Sequence, residues 1–137
     1  MDLKLELVVL PVTDVDRAKA FYEGLGFNTD VDHRAGDAFR VVQLTPPGSA
    51  CSITIGTGLT KARPGSYEGM HLVVTDIDDA VARLRGQGAE VSDPFHFGEQ
   101  GQVPGPHPER VDYGTFASFG DPDGNQWLLQ EVPGRKG

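Results

Sequence analysis

The chain has 137 residues and a formal net charge of −8, which fits one compact domain and disfavours nucleic acid or an anionic membrane as a partner. No apolar run reaches the ~20 residues that span a bilayer. The single cysteine excludes an intrachain disulfide, and the first residues do not resemble a secretory leader. We therefore expect a cytoplasmic protein that binds small molecules or other proteins.

The chain opens with a predicted strand and helix. Aliphatic and β-branched residues predict a strand over residues 3–12 that is buried on both faces. Thr13 and Asp14 then provide an N-cap, and apolar residues at three- and four-residue spacing predict a helix that ends at Gly24 and Gly26.

A predicted hairpin completes the first half. Its strands are residues 39–44 and 51–55, and the Pro/Gly-rich residues 46–49 form the turn between them. Residues 33–37 are expected to link an earlier strand to this hairpin. Cys51, in an apolar strand, is expected to be a buried and unreactive thiol.

The opening segment is then repeated. Residues 6–26 recur as residues 68–88, and Val12-Thr13-Asp14 returns as Val74-Thr75-Asp76. The repeat predicts a second strand over residues 70–74 and a second capped helix. Two copies of one unit in a short chain indicate a pseudo-symmetric fold.

The chain ends with a predicted loop and hairpin. Residues 95–112 are rich in Gly and Pro and are predicted to form a long lid-like loop. His96 and His107 in this loop are expected to be solvated rather than metal-bound. Strands over 115–119 and 126–132 follow, joined by a type I turn at residues 121–125. The Asp-x-Asp-x-Asn spacing of that turn imitates a calcium loop but lacks its twelfth-position Glu.

The stretch from Leu7 to Tyr22, the Leu25-Gly26-Phe27 that follows, and the stretch from Phe119 to Asn125 resemble the vicinal oxygen chelate superfamily. That superfamily includes glyoxalase I, extradiol dioxygenases, fosfomycin-resistance enzymes and bleomycin-binding proteins. The resemblance implies an α+β fold of two βαβββ units packed into one pseudo-symmetric domain with an open cleft between curved sheets. It also implies a homodimer. The expected units are residues 1–58 and 67–133, with residues 59–66 as the connection.

The resemblance also implies where a divalent metal would be held in catalytic members. The matching positions are Leu7, Gly69 and Leu128, and none of them can coordinate a metal. Residues 38–67 contain no Asp, Glu or His. We therefore expect no metal and no other cofactor. A one-residue register slip, which would turn Glu6 and Glu68 toward the cleft, remains a disfavoured alternative.

Side-chain alternation predicts the lining of the cleft. His71 should share the face of Gly69, where it could bind a ligand or act as an acid or base. Trp127 should face the other way from Leu128. The remaining candidates are an apolar floor and polar or aromatic walls, and alternation does not fix the facing of the wall residues. The floor is Leu7, Val9 and Leu128, and the walls are Arg40, Gln43, Ser52, Thr54, Phe116, Ser118 and Gln130.

The sequence thus predicts a protein that binds a small, partly hydrophobic organic ligand in its central cleft without a metal. It would either sequester the ligand or transfer a proton through His71. The alternative is a metal-dependent lyase, isomerase or dioxygenase of the glyoxalase type. A protein-interaction module has no support beyond the acidic surface.

Overall fold

The computed structural model describes residues 1–135, which form two compact units. The first unit is Met1–Tyr67 together with Asp121–Asn125, and the second consists of Glu68–Gly120 and the segment from Gln126 onward. Each unit contains one helix and one sheet within the described residues. The α+β class predicted from the sequence is confirmed. Neither helix in this part of the chain has the length and apolar character needed to cross a membrane.

The first unit has the order strand, helix and three further strands. They are β1 (Leu7–Val9), α1 (Val15–Gly24), β2 (Asn28–Ala35), β3 (Phe39–Thr45) and β4 (Ser52–Thr57). The sheet order is β1-β4-β3-β2, with β1 parallel to β4 and the other neighbours antiparallel. Helix α1 packs on one face of this sheet, against β3 and β4.

The second unit repeats this arrangement with one additional strand. Its elements are β5 (Met70–Val74), α2 (Ile77–Gly86), β6 (Phe95–Gly98), β7 (Gly101–Pro104), β8 (Thr115–Gly120) and β9 (Gln126–Glu131). The sheet order is β5-β9-β8-β6-β7, with β5 parallel to β9. Helix α2 packs against β8 and β9, so this sheet also has one face covered by a helix.

Both helices begin at the caps that the repeat predicts. The Asp14 carboxylate accepts the Arg17 backbone N–H at 3.0 Å, and the Asp76 carboxylate accepts that of Asp79 at 3.2 Å. Each bond satisfies a donor that the first helical turn leaves without an intrahelical partner. The strand prediction over residues 70–74 is confirmed as β5.

Three predictions about strands were wrong in part. The first strand is only β1, because its partner β4 begins at Ser52, opposite Leu7; Leu3 and Leu5 are exposed. Strand β2 includes His33, which was expected in a linker. Residues 95–112 are not all loop, since β6 and β7 form a hairpin there. The alternation of Phe95 and Phe97 with His96 is the strand signal that the Gly and Pro content concealed.

The turn between β8 and β9 is held within the first unit by a buried network. Asn125 donates to the Pro11 carbonyl at 2.8 Å and accepts the Tyr67 backbone N–H at 3.1 Å. The Tyr22 hydroxyl donates to Asp121 at 2.8 Å. Asp121 also accepts the backbone N–H groups of Asp123 and Asn125, as expected of a hydrogen-bonded turn.

Candidate functional site

In the first unit, most of the residues predicted to contact a ligand lie on the sheet face turned away from α1. Opposed residues of neighbouring strands share a face. The pairs Leu7 with Ser52, Val9 with Thr54, and Gln43 with Thr54 therefore lie together. Residues of opposite parity form the core against α1: Val42, Leu44, Ile53 and Ile55.

Polar side chains on this face are largely bonded to one another. The hydroxyls of Ser52 and Thr45 are 2.6 Å apart, and Gln43 donates to Ser52 at 3.3 Å. Thr45 also donates to Asp30. The Thr54 hydroxyl is buried and has no hydrogen-bond partner among the described residues. The face is thus apolar along β1 and rich in hydroxyl groups along β3 and β4.

Arg40 does not share this face, so its prediction as a wall residue was wrong. It has the parity of Val42 and points to the side of α1, where it donates to Asp16 at 2.6 Å and to both oxygens of Asp32 at 3.0 and 3.1 Å. Arg40, followed by Lys19, holds the pKa of the Asp32 carboxyl well below its usual range. A cavity of about 370 Å³ lies beside this cluster. Arg40 is already paired with carboxylates, so we interpret the cluster as structural.

In the second unit, the sheet face turned away from α2 collects the other predicted residues. His71 is opposite Leu128, which is opposite Ser118 on the next strand. Phe116 and Gln130 form the neighbouring pair on the same face. Trp127 lies on the α2 side, as its parity predicts, and stacks on Phe119 with centroids 6.0 Å apart.

Four rings on this face form what we call the aromatic cluster: His71, Phe95, Phe97 and Phe116. Phe116 stacks on Phe95 at 6.0 Å and meets Phe97 edge-on at 5.3 Å. The His71 ring stands edge-on to Phe116 at 6.2 Å. Phe97 is 56% exposed, so the cluster presents an apolar ring surface to solvent. The sequence predicted His71 and Phe116 here but missed Phe95 and Phe97.

The backbone immediately before its strand orients His71. Its Nδ1 lies 2.6 Å from the carbonyl oxygen of Gly69. Because a carbonyl only accepts hydrogen bonds, Nδ1 must carry the proton, and the neutral ring presents Nε2 as an acceptor. Gly69 has a φ of +85°, a conformation that side chains other than glycine rarely adopt.

Comparison with known proteins places the chain in a family. The model of the Glyoxalase/Bleomycin resistance protein/Dioxygenase superfamily matches residues 4–129. The chain belongs to this superfamily. The superfamily named by the sequence resemblance is thereby confirmed.

Members with solved structures include two from Streptomyces sp. CB03234. TnmS3, described as an antibiotic binding protein, is 30% identical, with a TM-score of 0.73 over 96% of this chain and 97% of its own. A glyoxalase/bleomycin resistance protein is 31% identical, with a TM-score of 0.70 over 93% and 100%. The uncharacterized protein YetH of Bacillus subtilis (strain 168) is 29% identical over 90% of this chain and 94% of its own.

The side chains of this member do not fit the metal centre that the resemblance implies. Leu7, Gly69 and Leu128 supply no donor, and residues 1–135 contain no group of three or more His, Cys, Asp or Glu placed to hold a metal ion. Glu6 and Glu68 are exposed. A site with open coordination positions needs three or four convergent donors.

The two histidines of the second unit's hairpin region do not replace that centre. The rings of His96 and His107 are 5.8 Å apart, so the fold brings together residues that were expected to be separate loop histidines. Nδ1 of His96 bonds the Gly105 carbonyl, and Nδ1 of His107 accepts the Glu109 backbone N–H. His107 therefore carries its proton on Nε2, the nitrogen that a metal would need.

Proposed function

We propose that this protein binds a small, partly hydrophobic aromatic molecule and sequesters it without a metal ion. The observation that carries the proposal is the aromatic cluster, with Phe97 exposed on the sheet face turned away from α2. That TnmS3 is an antibiotic binding protein supports a ligand of the antibiotic class. A cytoplasmic location, a homodimer and one cleft shared by both units remain predictions.

The aromatic cluster provides a surface for a flat ring. Aromatic pairs in offset or edge-on geometry contribute about 0.5–1.5 kcal/mol beyond the area that they bury. Phe95 and Phe116 support one another from below, while Phe97 presents its ring to solvent. A ligand ring that covers Phe97 would remove apolar surface from water on both partners. Leu128 adds an aliphatic contact on the same face.

Polar residues on the sheet faces turned away from α1 and α2 are proposed as further ligand contacts. In the second unit these are Ser118 and Gln130. In the first unit they are Gln43, Ser52 and Thr54, beside the apolar Leu7 and Val9. A few polar groups on a mostly apolar lining are typical of small-molecule sites, because they fix orientation while apolar contact supplies affinity.

The test is binding of two probes to the purified protein. We expect saturable binding of bleomycin by isothermal titration calorimetry, and of the uncharged dye N-phenyl-1-naphthylamine by fluorescence. Phe97→Ala should weaken binding of the dye about fivefold to tenfold. The control is Tyr113→Ala, because Tyr113 is 53% exposed but its ring lies by Arg135 instead of the cluster. Absence of binding by both probes, or equal effects of the two variants, would contradict the proposal.

A second candidate function is proton transfer by His71. Its Nε2 is an acceptor in the neutral ring and lies on the exposed side of the strand, so it could remove a proton from a bound ligand. Mass spectrometry of each probe after incubation with the protein distinguishes turnover from binding. If a product forms, His71→Gln should abolish its formation while leaving binding in place.

A further inference from the structure

We infer that the ligand of the second unit is an aromatic hydrogen-bond donor, a phenol or an aromatic N–H compound, and that His71 selects it by accepting that hydrogen bond at Nε2. The inference rests on the proposed function and names the chemical class that this surface takes. Two independent observations support the inference. One is the hydrogen bond that fixes the tautomer of His71, and the other is the exposed aromatic cluster beside this ring.

The first observation is that His71 has one committed nitrogen and one that is available. Nδ1 donates to the Gly69 carbonyl at 2.6 Å. Nε2, on the far side of the ring from Cγ, makes no hydrogen bond within residues 1–135, and the side chain is exposed. A histidine fixed in this way is an acceptor of defined direction, because the bond at one ring nitrogen determines the role of the other.

The second observation is that this acceptor stands beside the rings that would hold an aromatic ligand. The His71 ring is edge-on to Phe116, with an interplanar angle of 84°. Phe97 meets the same Phe116 from another side and is open to solvent. A flat ligand resting on Phe116 and Phe97 would therefore bring its rim close to the imidazole. One ligand molecule would therefore carry both the apolar ring that rests on the phenylalanines and the donor that reaches Nε2.

Aromatic ligands that lack a hydrogen-bond donor would bind this arrangement less favourably. An aromatic ether or quinone offers only acceptors, so its binding would strip water from Nε2 and leave the lone pair without a partner. An aromatic carboxylate would also face that lone pair, and the chain carries a net charge of −8. A neutral phenol or aromatic N–H compound satisfies Nε2 directly.

Gly69 is the positioning residue in this arrangement. Its φ of +85° sets the direction of the carbonyl that holds Nδ1, and a Cβ built there would meet no other atom within 4 Å. Replacing it with alanine would therefore disturb the backbone conformation without creating a clash. Gly69 stands where the resemblance places a metal ligand, so the chain uses that position to orient a histidine instead.

The experiment compares 2-naphthol with its methyl ether, 2-methoxynaphthalene, in an NMR titration; the two share the naphthalene ring, and only 2-naphthol has a hydrogen-bond donor. We expect wild-type protein to bind 2-naphthol about fivefold more tightly, the value of one added hydrogen bond. His71→Phe keeps a flat ring but has no acceptor, so the preference should disappear. His71→Gln restores an acceptor and should recover part of it. Phe97→Ala is the matched control, because it should weaken both ligands equally.

An independent readout is the ¹⁵N spectrum of the His71 ring in its neutral form. The inference requires the proton on Nδ1, and Gly69→Ala should shift the population toward the Nε2–H tautomer and reduce the preference for 2-naphthol. Equal affinity of wild-type protein for both ligands would overturn the inference and leave the proposed function standing. Binding of neither naphthalene ligand would overturn the inference, and if bleomycin and the dye also failed to bind, the proposed function would be overturned as well. A proton found on Nε2 in wild-type protein would overturn the inference alone.

Discussion

The ion pair between Arg110 and Glu131 should determine much of the stability of the second unit. Glu131 is the last residue of β9, and its side chain is only 1% exposed. Arg110 binds both carboxylate oxygens, at 2.8 Å through Nε and 2.6 Å through Nη2, and the Ile77 backbone N–H donates to the same carboxylate at 2.8 Å. We predict that Arg110→Gln destabilises the protein substantially, because it leaves a buried charge without its cation.

The expected magnitude follows from the burial of the two partners. Removing one partner of a fully buried pair costs about 3–5 kcal/mol. The Arg110 side chain is 39% exposed, so water can partly replace the guanidinium, and we reduce the figure to about 2–3 kcal/mol. In the double variant Arg110→Gln/Glu131→Gln no charge is stranded. The double variant should therefore lose less free energy of unfolding than Arg110→Gln alone, since replacing both partners is often close to neutral.

Urea unfolding of wild-type protein, both single variants and the double variant at pH 7 measures these free energies and the coupling between the residues.

Hydrogen bonding by Arg110 holds the pKa of Glu131 below its ordinary value of 4.5, against the opposing effect of burial. The wild-type contribution is therefore present above pH 4.5 and is lost as the pH falls through the lowered pKa. Without Arg110, burial raises the pKa of Glu131, so its carboxylate takes up a proton more easily. The difference in free energy of unfolding between wild-type protein and Arg110→Gln should therefore become smaller as the pH falls toward 4.

Two results would refute this reasoning. One is a loss below about 0.5 kcal/mol for Arg110→Gln, which would mean that solvent replaces the guanidinium completely. The other is a double variant as unstable as the sum of the two single variants, which would mean that the side chains act independently.

Three further predictions concern the first unit and the metal. Tyr22→Phe should cost about 1.5–3 kcal/mol in urea unfolding, because it removes a hydrogen bond to the buried Asp121 carboxylate; a loss near zero would show that the bond is not formed in solution. Gly65→Ala should lower the melting temperature more than Gly48→Ala: both have positive φ, but only at Gly65 would a Cβ lie 2.1 Å from a backbone oxygen, that of Asp123. Ni²⁺, Zn²⁺, Mn²⁺ or Fe²⁺ should leave the melting temperature unchanged, whereas a metal at about 100 times its Kd would add about 2.7 kcal/mol. Stoichiometric metal in purified protein would favour the alternative of a metal-dependent lyase, isomerase or dioxygenase.

Local patterns in the sequence were sufficient to predict the helices, their caps and several strands. Asp14 and Asp76 cap α1 and α2 because their carboxylates bond backbone groups three residues away, an interaction that needs no distant partner. The turn that begins at Asp121 closes in the same local way. Strand β5 followed from the repeat, since its sequence context copies that of β1.

The extent of strands and the facing of some side chains depended on distant partners. Leu3 and Leu5 have the composition of a strand, but β4 begins too late to pair with them. The sequence did not assign the facing of Arg40, because the direction that its side chain takes is decided by Asp16 and Asp32 on neighbouring elements. The hairpin of β6 and β7 was missed for a related reason: its Gly and Pro content is typical of loops, and only pairing makes it a sheet.

By itself, the sequence determined the family, the two-unit plan and the side-chain types available for chemistry, because these depend on residue identity and on short-range periodicity. Only the tertiary structure decided that Phe95 and Phe97 join Phe116 in one cluster, and that the Gly69 carbonyl fixes the proton of His71. Both facts depend on strand register and on one backbone angle. These are set by the packing of the whole unit, so no local pattern encodes them.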